Sequence, residues 1–260
     1  QFFPVYPTYY KIEYPNYEIL TLKFRKHYSI ALICLVVGCA TYKPQYKESA
    51  RVSKYPDKAI EHSFYLVGDA GNSPMEGKSP ALTGLEKVIG QAPSNSTLLY
   101  LGDNIYPHGL PKKGHKDREF AEHQLRAQAG AAKDFKGRTI FIPGNHDWYN
   151  DGPSGLKRQE EFVEALLGKD SFLPENGCPI TKVDINDEVV LIIVDSEWYM
   201  AKWDKYPGIN DDCELRNRNR FFDEYESLIK KARGKTTVVA IHHPMYTNGP
   251  HGGQFSFKSH

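Results

Sequence analysis

The chain has 260 residues, with 33 Lys and Arg against 32 Asp and Glu, for a formal net charge of +1. Hydrophobic residues make up 40% and charged residues 25%, the balance of an ordinary globular protein large enough for a full core. So even a charge leaves no electrostatic footprint for nucleic acid, which is not expected as a partner, and no repeat or low-complexity segment appears.

Residues 1–22 are rich in Tyr and Pro, begin at Gln1 and contain no Met; the first Met is Met75. They read as an over-extended gene model and are left out of the fold reasoning. Residues 23–38 open on Lys23, Phe24, Arg25, Lys26 and His27, continue as an apolar stretch to Val37, and end at Gly38 before Cys39. That is a cleaved secretory signal, since its apolar run is about half the roughly 20 residues a membrane span requires. Val36-Val37-Gly38-Cys39 resembles the bacterial lipobox. The resemblance implies that Cys39 is lipidated and anchors the protein to the membrane of a bacterial cell envelope, facing the periplasm or the cell surface. An ordinary secretion signal is the competing reading. Residues 39–59 are polar and read as a flexible tether.

From residue 60 to residue 260 the pattern is that of one α/β domain. Short β-branched and aliphatic runs predict strands at Ser63 to Val67, Thr97 to Leu101, Thr139 to Ile142, Val189 to Val194 and Thr236 to Ile241. Apolar spacings of three and four predict helices over Arg118 to Asp134, Gly155 to Leu167 and Glu214 to Arg233. Alternating strands and helices argue for helices covering a sheet core.

Four of the strands run into polar islands: G-D-A-G at Gly68 to Gly71, G-D-N-I-Y at Gly102 to Tyr106, G-N-H-D at Gly144 to Asp147, and H-H-P at His242 to Pro244. A fifth island, P-H-G-G, spans Pro250 to Gly253. A Gly after a strand lets the backbone turn sharply and leaves the next side chain projecting at the sheet edge, where open α/β sheets hold ligands. Asp69, Asp103, Asn145 and His242 are then carboxylate, amide and imidazole donors gathered from distant parts of the chain. That donor set suits Fe, Mn or Zn better than Ca or Mg. The plain alternative is strand-ending turns capped by Asp and Asn. It accounts for the Gly and Asp residues, but not for His and Tyr at matching offsets.

These islands, in this order, resemble the calcineurin-like metallophosphoesterases, and within them most closely the purple acid phosphatase branch. The wider family carries His two residues after the first Asp, where this chain has Gly71; it has instead Tyr106, three residues after Asp103, as purple acid phosphatases do. The resemblance implies a four-layer αββα sandwich holding two metal ions, Fe(III) plus Fe, Zn or Mn. Asp69, Asp103 and Tyr106 would hold the first ion, and Asp103, Asn145 and His242 the second. It also implies hydrolysis of a phosphorylated small molecule or protein by a metal-bridging hydroxide. His146 would sit near the substrate phosphate, Asp147 would orient His146, and His251 matches a substrate-binding His; a turn-stabilising role for His251 stays open. The family's closing G-H-x-H motif does not occur before His260, so the domain reads as incomplete at its C-terminus.

Two other enzyme readings use the same metals, a phosphodiesterase and a nucleotidase. A reading of a different class is a non-catalytic envelope module. Cys178 and Cys213 fall in loops containing Asn, Gly and Asp, and are candidates for a disulfide in an oxidising compartment. Sequence leaves open whether they approach closely enough to bond.

Overall fold

The computed structural model describes residues 59–244. The N-terminal extension, the signal, Cys39, nearly all of the tether, and His251 lie outside the described residues.

Two three-stranded sheets organise the domain. In the first, β1 (Ser63–Val67), β2 (Ser96–Tyr100) and β3 (Arg138–Phe141) run parallel in that order. In the second, β5 (Val189–Val194) lies between β4 (Ile180–Asp184), antiparallel to it, and β6 (Thr236–Ile241), parallel to it. Strands β2 and β3 each start one residue before the expected position, because Ser96 and Arg138 already pair with Ser63 and Thr97. Strand β4 has no counterpart among the strands expected from sequence. It is an edge strand, half-buried from Ile180 to Val183 and carrying two charges, Lys182 and Asp184, so it lacks the apolar run that marks a central strand.

Parallel neighbours need crossovers, and here these are helices. Helix α1 (Pro80–Ile89) joins β1 to β2, and α2 (Arg118–Ala131) joins β2 to β3. Helix α1 has no counterpart among the helices expected from sequence, although its start is well signalled. Ser79 caps it by accepting from the Leu82 amide, and Pro80 sits in its first turn, where a missing N–H costs nothing. After β3 come the single turn α3 (Asn145–Trp148) and the longer α4 (Pro153–Leu167). Helix α5 (Ser196–Met200) follows β5, and α6 (Phe221–Lys231) precedes β6.

A helix was expected from Glu214, but α6 begins only at Phe221. Two constraints hold the preceding stretch out of helix. Cys213 is bonded to Cys178, with Cα atoms 5.5 Å apart. The Asn217 side chain accepts from the Arg220 amide and starts a tight turn there.

Side chains alternate between two buried clusters, as a strand's period of two requires. Leu98, Tyr100 and Phe141 face Leu82, Ile89, Leu125 and Leu156 of the helices. Leu99, Ile140 and Ile142 instead share a cluster with Leu191, Ile193 and Ala240 of the other sheet. Val190, Ile192 and Val194 point the opposite way, into a cluster with Trp198, Phe221 and Leu228. Among the described residues, no helix is long and apolar enough to cross a membrane.

Candidate metal centre

Register sets where the polar islands fall. Val67 pairs with Tyr100 and Tyr100 with Phe141, so β1, β2 and β3 finish at one edge of their sheet. Val194 pairs with Ile241, which ends β6. The His242 imidazole, just beyond, lies with Nδ1 2.8 Å from the Leu101 carbonyl, tying the end of one sheet to the end of the other. Asp69, Asp103, Asn145 and His242 therefore meet.

The turn at Gly102 makes this approach possible. Its φ is 93°, and a side chain there would meet His242 Nδ1 and the Gly144 backbone nitrogen at 2.7 Å. Asp69 and Asp103 are themselves left-handed, with φ of 57° and 54°, a conformation Asp tolerates better than most residues. Both carboxylates reach the Tyr106 hydroxyl from these turns.

The Asp103 carboxylate is buried, and its two oxygens face different groups. Oδ2 takes a 2.7 Å hydrogen bond from the Tyr106 hydroxyl, which also lies 2.7 Å from Asp69 Oδ1. One hydroxyl hydrogen serves two carboxylate oxygens there. Oδ1 accepts the His146 amide at 2.9 Å and lies 3.5 Å from His242 Nε2. His242 Nε2 in turn is 3.1 Å from Asn145 Oδ1.

The tautomer of His242 follows from its partner. A carbonyl only accepts, so Nδ1 carries a hydrogen and Nε2 is the ring nitrogen turned toward the centre. Asn145 donates through Nδ2 to the Tyr149 hydroxyl at 2.6 Å, leaving Oδ1 as an acceptor on the inner side. Asp103 Oδ1, Asn145 Oδ1 and His242 Nε2 thus converge, and each is an atom that can ligate a metal. One ligand atom each from Asp69, Asp103 and His242 also fall within 4.8 Å of one another. Carboxylate, imidazole, amide and phenol in this arrangement fit a transition-metal or zinc site. In the protein alone, burial, reinforced by Asp69 and Asp103, holds the Tyr106 hydroxyl well above the usual phenol range; a bound cation would act in the opposite direction.

His146 stands at the rim. Its Nδ1 faces the Pro107 carbonyl at 2.7 Å, so that nitrogen donates and Nε2 is the free one, 3.9 Å from Asp103 Oδ2. The ring is flanked by Tyr106 and Tyr149, with centroids 4.3 and 4.8 Å away.

Asp147 has partners other than the expected one. It was expected to orient His146, but its buried carboxylate accepts from the Asn104 amide at 3.1 and 3.2 Å, from Asn104 Nδ2 at 3.1 Å and from the Gly144 amide at 2.8 Å. The helical turn of α3 sends consecutive side chains in different directions, and that of Asp147 points back under the loop. It therefore clamps the G-D-N turn to the G-N-H-D turn, while the Pro107 carbonyl holds His146. Burial pushes the Asp147 carboxyl up to about 7, against the pull of the amides it accepts from.

Three contributors, Asn104, Gln128 and Glu197, carried no sequence signal of their own. Asn104 binds Asp147 and gives its side-chain amide to the Ile142 carbonyl at 2.8 Å, while Gln128 Nε2 donates to the Asn104 carbonyl at 2.8 Å. Glu197, at the start of α5, feels the Asp103 charge; burial first, and Asp103 second, push its carboxyl up to about 7. His243 turns away from the cluster, with Nδ1 2.7 Å from the Ser196 hydroxyl. Burial, followed by His242, pushes His243 down to about 4, so it is neutral. Buried Asp195 accepts from Trp148 Nε1 at 2.9 Å and caps α5 through the Trp198 amide. It thereby ties the end of β5 to the G-N-H-D turn.

An α/β domain that gathers carboxylate, imidazole and amide donors at converging strand ends is the framework of a metal-dependent hydrolase. The family model for calcineurin-like phosphoesterase matches residues 62–259, and the chain belongs to that family. Membership implies a metal-dependent phosphoester hydrolase, and such domains typically bind two metal ions. Comparison with the curated proteins returns no match.

Proposed function

We propose that the protein is a phosphomonoesterase of the purple acid phosphatase type, acting through a dinuclear centre to which Asp103 would give a ligand oxygen for each ion. The observation that carries this reading is the division of the Asp103 carboxylate, with Oδ2 toward Tyr106 and Asp69 and Oδ1 toward Asn145 and His242. One ion would be held by Asp69, Asp103 and Tyr106, the other by Asp103, Asn145 and His242. Tyr106 beside two carboxylates favours Fe(III) in the first position, with Fe, Zn or Mn in the second. When bound, the metals supply Lewis acidity that activates water and neutralises charge on the phosphoryl oxygens.

The chain's own residues do the rest. His146, fixed by the Pro107 carbonyl, keeps its free Nε2 near the centre, where it steadies the phosphate or holds a proton for the leaving oxygen. His251 is a further candidate for the phosphate. The alternating buried clusters support a helix–sheet–sheet–helix order of layers, which is the αββα sandwich. A lipid anchor at Cys39 would place the site outside the cytoplasm, and Cys39→Ser should then release the protein from the membrane fraction.

The direct test is hydrolysis of p-nitrophenyl phosphate and bis(p-nitrophenyl) phosphate by the iron- and zinc-loaded protein. Faster turnover of the monoester supports the proposal. Faster turnover of the diester moves the assignment to a phosphodiesterase, and inertness toward both favours a non-catalytic module. Tyr106→Phe should abolish the visible charge-transfer band of the iron form; an unchanged spectrum removes Tyr106 from the iron and the branch assignment with it.

A further inference from the structure

We infer that Tyr149 is a positioning residue that turns the oxygen of the Asn145 amide toward the metal centre. The inference rests on the metal-centre reading above. An Asn amide has two ends of nearly equal size, and only the oxygen can ligate a metal. In the ligating orientation both amide hydrogens must leave the centre, and they need an acceptor on the outer side. The Tyr149 hydroxyl is that acceptor, 2.6 Å from Asn145 Nδ2, while Oδ1 on the other end lies 3.1 Å from His242 Nε2.

Local geometry explains why position 149 can do this. Asn145 opens the single turn α3 and Tyr149 follows its end, so the two are four residues apart and stacked on one side of the turn. The Tyr149 amide bonds the His146 carbonyl at 3.3 Å, continuing the turn. The ring rests against His146 at 4.8 Å and near His108 at 6.2 Å, which limits its rotamers. Half of Tyr149 remains exposed, so burial of the ring is a weak reason for a large aromatic here. A hydrogen bond at Nδ2 also draws the amide nitrogen's electrons toward the carbonyl and makes Oδ1 a better donor.

The test is a titration of the metal-free full-length protein with Zn²⁺ by calorimetry, comparing wild type with Tyr149→Phe. This variant keeps the ring and removes only the acceptor, and thermal unfolding of its metal-free form checks that it folds. The expected result is two ions bound in both proteins, with one of the two affinities lowered about tenfold in the variant, as for other partners that orient a ligand. A second arm repeats the substitution in an Asn145→Asp background. A carboxylate presents oxygen at both ends, and the phenol can only donate to the outer one, which weakens the ligand. There Tyr149→Phe should leave the affinity unchanged or raise it. An equal loss in both backgrounds shows that Tyr149 acts through packing and overturns the inference. So does unaltered binding of both ions by Tyr149→Phe. Wild-type protein that binds no Zn²⁺ overturns the metal-centre reading itself, and this inference with it.

Discussion

The carbonyl of Gly71 accepts the backbone N–H of Tyr106 at 2.9 Å, and the space a side chain would need at position 71 is filled by the backbone of Asn104 and Ile105. The two loops touch there, and the contact carries the Tyr106 hydroxyl to 2.7 Å from Asp69 Oδ1. A side chain at position 71 and this placement of Tyr106 exclude each other.

Gly71→Ala should therefore be costly. Its Cβ would fall 2.4–2.5 Å from backbone atoms of Asn104 and Ile105, which have no flexible end to move aside. A loss of about 1–3 kcal/mol in urea unfolding is expected, the range for overpacking, together with weaker metal binding. Stability equal to wild type would mean that the loops separate freely.

Asp103→Asn should remove the group shared by both halves of the centre. Turnover should fall at least about 100-fold, beyond the usual effect of a partner that merely orients a ligand. Metal analysis should show fewer than two ions per chain. Two ions retained with normal turnover would rule out Asp103 as the shared ligand.

Asp147→Asn nearly preserves shape but turns an NH2 group toward amides that themselves donate. The carboxylate is fully buried and accepts from Asn104 and Gly144. A loss of about 2–3 kcal/mol is expected from misplaced, charge-assisted hydrogen bonds, read from the denaturant midpoint. The His146 ring should keep its contact with the Pro107 carbonyl, which holds it instead. A crystal structure of the variant with that contact broken and the loops otherwise intact would restore the orienting role.

Glu160, on α4, provides a pH signature of its own. Burial pushes its carboxyl up to about 7 although it accepts the Asn176 amide at 2.7 Å. The folded chain then binds more protons than the unfolded chain between the ordinary carboxylate range and about 7, so stability should fall as pH rises through that window. Glu160→Gln should flatten this part of the stability–pH curve and be more stable than wild type at pH values above it. Parallel curves for the two proteins would show that Glu160 titrates normally.

The Cys178–Cys213 bridge spans 35 residues that include β4, β5 and α5. Closing a loop of this length restricts the unfolded chain by about 3–4 kcal/mol. Reductant should lower the denaturant midpoint of the wild type and leave Cys213→Ser unaffected. Equal midpoints for reduced and oxidised wild type would mean that the bridge contributes nothing.

Much of this was legible in order along the chain. Strands such as Val189–Val194 are continuous apolar runs because both faces are buried, and the islands at Asp69, Asp103, Asn145 and His242 follow strands and carry metal-ligand chemistry. Those features are local, so periodicity and residue type expose them. The half-exposed edge strand β4 and the late start of α6 were not legible. The first has no apolar run, and the second is set by a bond to Cys178 and a side-chain cap at Asn217.

Tertiary structure alone decided how the groups face one another. Nothing in G-N-H-D states that Asp147 grips Asn104 while Pro107 holds His146, or that Asn145 turns its amide between Tyr149 and His242. Residue identity fixes which atoms can donate or accept. Which of them meet depends on register, on the turn at Gly102 and on the close backbone approach at Gly71, which bring loops far apart in the chain within a few ångströms.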